Sequence, residues 1–117
     1  MKTTLFFALI ATIPLAFANT VELASHDELA EAVAGNTIQG SMQASGVYTE
    51  YYADGGVVYG HNYNAKWSIE SNTMCWVYVG SPKDCWNATV SGDQISWIKD
   101  GKSLGTGTIL VGNPNNF

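Results

Sequence analysis

The sequence predicts a mainly β protein: a small antiparallel meander or barrel of about seven or eight short strands with one short N-terminal helix. Three observations carry that expectation. Turn signals recur about every eight to ten residues from Asn36 onward. Apolar and polar residues alternate between those turns. Only one segment, ahead of the first strand, shows helical spacing.

The chain opens with an export signal. Met1-Lys2 is a short positive start, an apolar run extends from Leu5 to Phe17, and Ala16-Phe17-Ala18 supplies a small-x-small cleavage site. These are the three parts of a secretory signal over residues 1–18. The run is shorter than the ~20 residues of a spanning helix, and Pro14 interrupts it. No later stretch is long or apolar enough to span a bilayer as a helix, so no transmembrane segment is expected after cleavage. Residues 19–117 then form a single β domain, a length suited to one domain. The expected location is periplasmic or secreted.

Ser25-His26-Asp27-Glu28 has the form of a capping box, with Ser25 as N-cap and Glu28 reaching back to its amide. Leu29, Ala32 and Val33 follow on one helical face, and Gly35 is a natural stop. The spacing predicts a helix over about 26–34. So short a helix is not stable alone, so its apolar stripe must lie on the sheet or plug one end of it.

Candidate turns follow at Asp54-Gly55, His61-Asn62, Ser71-Asn72, Gly80-Ser81-Pro82, Ser91-Gly92 and Asp100-Gly101. Between them the strands run about five to seven residues. Trp67 and Ile69 alternate with Lys66, Ser68 and Glu70; Trp86, Ala88 and Val90 alternate with Cys85, Asn87 and Thr89. Ile95 and Trp97 alternate with Gln94 and Ser96. The inward set, extended by Met74, Trp76 and Tyr78, brings all four tryptophans into one interior. That gives a small chain a core it would otherwise struggle to build.

Cys75 and Cys85 are the two cysteines of an exported chain, and a disulfide is the expected state. A tight turn near Gly80 sets Cys75 opposite Cys85 and Met74 opposite Trp86, so the bridge would lie on the outer face and pin a hairpin register. A metal site would need further ligands at suitable spacing; His26 and His61 do not supply them, and no metal or other cofactor is expected.

From Gly35-Asn36-Thr37 the chain has a distinctive cadence. It runs through Tyr48-Thr49-Glu50-Tyr51-Tyr52-Ala53-Asp54-Gly55, Lys66-Trp67-Ser68-Ile69, Cys75-Trp76, Cys85-Trp86 and Gly112-Asn113-Pro114. This resembles a family of short secreted bacterial proteins catalogued only as a domain of unknown function, number 995. The resemblance implies a bacterial periplasmic protein and carries no activity or catalytic residue with it. Ala65-Lys66-Trp67 is also similar to the Gly-x-Trp that begins lipocalin and avidin-like barrels, with alanine in place of glycine and the tryptophan in mid-chain.

Charge narrows the function. Loss of Lys2 with the signal leaves four lysines, no arginine and ten carboxylates, so a net charge of −5 becomes −6. Such a chain lacks the guanidinium fork that grips phosphate and is repelled by a nucleic-acid backbone, so no nucleic-acid partner is expected. The first candidate function is non-catalytic binding in the cell envelope through a tyrosine-rich strand surface. Tyr48, Tyr51, Tyr52 and Tyr59, with His61, are its candidate residues, and an envelope protein, a glycan or a small ligand its partner. Tyr63 lies nearby, and Tyr48 and Tyr52 must point opposite to Tyr51. The alternative is a small-ligand carrier of calycin-like barrel type. A third is a hydrolase in which Glu50 pairs with Asp54 or Asp93, or His61 acts as base. No nucleophile or zinc-hydrolase motif accompanies them, so no catalytic residue is assigned. A membrane-spanning barrel is disfavoured by strands this short, with outer faces carrying Lys66, Ser68, Glu70, Asn87 and Thr89.

Overall fold

The computed structural model describes residues 22–117. The expected signal over residues 1–18 lies outside the described residues. Among the described residues a single helix, α1 (His26–Val33), precedes eight strands. Its start is the expected capping box: Ser25 Oγ accepts from the Glu28 amide and the Glu28 carboxylate accepts from the Ser25 amide, both at 3.2 Å. Asp27 and Glu28 also place negative charge at the positive end of the helix dipole. At the other end Ala34 leaves the helical region and Gly35 takes a φ of +74°. That turn lets the Gly35 amide donate to the Tyr52 carbonyl at 2.7 Å, steering the chain into the first strand.

The strands are β1 (Thr37–Met42), β2 (Gly46–Tyr52), β3 (Val57–Gly60), β4 (Tyr63–Glu70), β5 (Thr73–Val77), β6 (Asp84–Ser91), β7 (Gln94–Lys99) and β8 (Lys102–Leu110). Each pairs antiparallel with the next, and β8 pairs with β1 from Thr37↔Leu110 to Met42↔Gly105, so the meander closes into a barrel. Closure leaves no sheet edge unpaired, a stable solution for so small an all-β chain. The expected turns are present, that at Ser91-Gly92 falling one residue later at Gly92-Asp93, with left-handed backbone at Asn62, Ser71, Gly92 and the pair Asp100-Gly101. Four strands depart from the expected length: β3 has four residues, β4 and β6 eight each and β8 nine. The β1–β2 connection runs through Gln43, Ala44 and Ser45, and left-handed Gly46 completes it; this Ser-Gly turn is not among those expected from the sequence.

Alternation sorts the side chains as expected. Ile38, Tyr52, Val58, Ala65, Met74, Trp76, Ala88, Ile95 and Trp97 are buried in one cluster, with Trp67 and Trp86 packed against it. Leu29, Ala32 and Val33 of α1 belong to the same cluster. The helix therefore plugs one end of the barrel. Its start is tied to the β4–β5 turn by the His26 amide donating to Asn72 Oδ1 at 2.9 Å, and just before it the Ala24 amide donates to the Ala88 carbonyl of β6 at 2.7 Å. Gly35 ties its far end to β2.

Cys75 and Cys85 form a disulfide between directly paired positions of β5 and β6, with Met74 opposite Trp86. Cys75 is 1 % exposed although it alternates with the inward Met74 and Trp76. The Glu70–Lys83 ion pair, 2.7 Å, belongs to the same outer patch, where Glu70 approaches both sulfur atoms. Among the described residues no helix is long and apolar enough to cross a membrane.

Candidate functional site: an aromatic pocket at the barrel mouth

The end of the barrel away from α1 is open, and four glycines at inward-facing positions, Gly40, Gly60, Gly105 and Gly107, let neighbouring chain and side chains lie close against its wall. Gly40 of β1 is paired with Gly107 of β8, and Gly105 and Gly107 alternate with Thr106 and Thr108. A side chain on Gly107 would meet the Tyr48 hydroxyl, one on Gly105 the Met42 sulfur, and one on Gly60 the ring of Tyr63. Large rings thus lie over backbone that has no side chain. A cavity of about 360 Å³ remains, walled by Tyr48, Tyr63, Trp76, Tyr78, Trp86 and Trp97, with the carboxylates of Glu50 and Asp84.

The polar groups of the wall form two chains. Trp97 Nε1 donates to the Tyr48 hydroxyl at 2.9 Å, which donates to the Thr106 carbonyl at 3.0 Å. Trp76 Nε1 donates to the Tyr52 hydroxyl at 3.1 Å, which donates to Glu50 Oε1 at 3.1 Å. The other oxygen, Oε2, accepts from Tyr63 at 2.7 Å and from Tyr78 at 3.1 Å. Glu50, 6 % exposed, is therefore held by three phenols. The rings of Tyr63 and Tyr78 lie 6.2 Å apart, close to where the pocket opens. At the rim Asp84 accepts from Lys99 Nζ and from Trp86 Nε1, each at 2.8 Å. Lys99, ahead of Trp86, holds the Asp84 carboxyl below the usual range.

Burial raises the pKa of all four phenols around the pocket. It pushes Tyr48 up to about 12, with the Trp97 hydrogen bond opposing and Glu50 adding. Tyr52, Tyr63 and Tyr78 are raised further, by burial first and by Glu50 second. A phenol whose folded pKa exceeds its unfolded value stabilises the fold fully below the unfolded value, about 10. That stabilisation is lost as pH rises through the folded value. The barrel is therefore expected to keep its stability up to about pH 10 and to lose it steeply toward pH 12. In an ultraviolet phenolate titration, at least four of the six tyrosines should ionise only as the fold opens. Smooth ionisation of all six below pH 11, with native circular dichroism, would contradict the network.

The structure divides the tyrosine-rich group foreseen from the sequence. Tyr48 and Tyr52 point into the barrel. Tyr51 and Tyr59 lie on the outer face, half exposed and stacked with centroids 6.3 Å apart. His61 is exposed in the β3–β4 turn, its ring 5.1 Å from that of Phe117. The five residues do not converge on one site. The carboxylate pairs do not converge either: Glu50 is inside, whereas Asp54 and Asp93 are exposed in turns at the helix-plugged end. His26 bonds the Ser71 carbonyl at that same end, far along the barrel from the turn that carries His61. Among the described residues the one group with clustered metal-ligating atoms is Glu70, Cys75 and Cys85, and its sulfurs are joined to each other.

Sequence reasoning missed Glu50, Tyr63, Tyr78 and Trp86 as members of a common pocket. The alternation Tyr48-Glu50-Tyr52 was the available signal, since it puts the carboxylate on the same face as two rings. No family model, curated protein or solved structure matches the chain.

Proposed function

We propose that the protein is an exported, non-catalytic binding protein that takes a small ligand into the mouth of its barrel. The observation that carries this reading is the open, aromatic-walled cavity at the end opposite α1. Ligand sites are typically concave and mostly apolar, with a few fixed polar groups, and the mouth has that composition. This favours the carrier reading over recognition by the outer strand surface, because Tyr48 and Tyr52 turn inward and leave only Tyr51 and Tyr59 outside. Export is supported by the three-part pattern of residues 1–18 and by a disulfide, a bond that forms and persists mainly in oxidising compartments. A periplasmic or secreted carrier in a bacterial envelope is the setting that pattern and the family resemblance favour.

The test is a thermal-shift and tryptophan-fluorescence screen of the purified protein against cationic, neutral and anionic small molecules. A ligand at about 100 times its Kd adds about 2.7 kcal/mol to the native state. A raised melting temperature is expected for at least one class, with altered emission from the pocket tryptophans. Ser45→Trp, at the rim, should weaken that binding and leave the unliganded melting temperature unchanged. No stabilisation across the screen, or undiminished binding by the Ser45→Trp variant, would sink the proposal.

A further inference from the structure

We propose that the ligand is an organic cation, a protonated amine on an apolar or aromatic body, with its nitrogen at Glu50 and its body against the tryptophan rings. This rests on the small-ligand reading above and assigns the chemistry of the same pocket.

Glu50 is the first ground. Carboxylates are almost never buried without a counter-charge, yet its hydrogen-bond partners are Tyr52, Tyr63 and Tyr78, all neutral donors. The chain has no arginine. Among the described residues Lys83 pairs with Glu70 and Lys99 with Asp84, and no lysine bonds Glu50. Three donors arranged around two oxygens suit a carboxylate, since a carboxylic acid would need an acceptor for its own proton. A carboxylate offers about four acceptor sites. Two on Oε2 and one on Oε1 are filled, so Oε1 keeps one for a ligand N–H. The site is a negative charge held in place, with no counter-charge bonded to it among the described residues.

The walls are the second ground. The indole N–H groups of Trp76, Trp86 and Trp97 are all engaged within the wall, by Tyr52, Asp84 and Tyr48. What these residues offer a ligand is therefore ring surface, whose negative face attracts a cation within about 6 Å. The rim already shows such a contact: Lys99 Nζ lies 5.6 Å from the centre of the Trp86 ring. A buried carboxylate among aromatic faces suits a protonated amine on an apolar body better than a sugar with many hydroxyls. An anionic ligand would meet Glu50 with no lysine to shield it. The volume, about 360 Å³, lies at the small end for ligand pockets.

A charge series on one skeleton tests this: phenethylamine, 2-phenylethanol and phenylacetate, titrated into the purified protein at pH 7 and followed by calorimetry and tryptophan fluorescence. The amine is expected to bind about tenfold more tightly than the alcohol, the gap that a charge-assisted hydrogen bond and a cation–π contact produce. The acid should bind most weakly. Glu50→Gln should close the gap between amine and alcohol while the alcohol still binds. Should that variant not fold, the wild-type series decides alone. Alcohol or acid binding as tightly as the amine overturns the cation and leaves the small-ligand reading standing. Absence of binding by all three, with a flat result in the wider screen, overturns both.

Discussion

Trp97→Ala is expected to lower the stability of the barrel by about 3–5 kcal/mol, the usual cost of emptying the site of a large buried aromatic residue. Trp97 is 2 % exposed and meets Trp76 edge to face at a centroid distance of 5.1 Å. Its indole also anchors Tyr48, whose hydroxyl lies over Gly107. The gap left by alanine would join the existing cavity, so neighbouring rings would lose contacts on two sides. Small domains of this kind have about 5–15 kcal/mol in total, so the change approaches the stability of the fold. Urea unfolding followed by circular dichroism measures it. Trp97→Phe keeps most of the packing and removes the N–H donor, and should cost only about 1–2 kcal/mol. A loss below about 1 kcal/mol for the alanine variant would mean that this wall is not close-packed.

The second large effect concerns the disulfide. Replacing Cys75 and Cys85 together by serine should cost about 2–5 kcal/mol. The bridge joins directly paired residues ten apart in sequence, so the enclosed loop is short and a value near 3 kcal/mol is expected. Burial of Cys75 pushes the figure upward, because a serine hydroxyl there would have to find a partner beneath the Glu70–Lys83 pair. Reduction of the native protein should lower its melting temperature in the same way. An unchanged melting temperature after complete reduction would show that the β5–β6 pairing stands without it.

The two effects differ in how visible they were beforehand. The disulfide was legible because its register is local: a turn near Gly80 counts Cys75 onto Cys85 within a dozen residues. The capping box at Ser25 and the Asp100-Gly101 turn are local in the same sense. Closure of the barrel was not, since Thr37↔Leu110 and its neighbours pair strands at opposite ends of the domain with no shared turn to announce them. The pocket was hidden for a related reason. All four tryptophans read as filling, and so Trp67 is, but Trp76, Trp86 and Trp97 also wall a cavity that exists only once the ring is closed. Tyrosines occur on both faces of β2, so their count could not say which face was inside; Glu50, flanked by Tyr48 and Tyr52, marks it.

Closure between β1 and β8 also bears on when the protein can become itself. The β5–β6 hairpin can form as soon as its own residues are free, and its cysteines can oxidise there. The ring cannot be sealed until the last strand has arrived, because β8 alone satisfies the open sides of both β1 and β7. Contacts so distant along the chain slow folding toward the millisecond-to-second range. Through that interval two strands present unpaired backbone, the kind of template that recruits other chains. A thread-like polypeptide that stays open until its final segment emerges is also one that can pass through a narrow channel first and assemble on the far side.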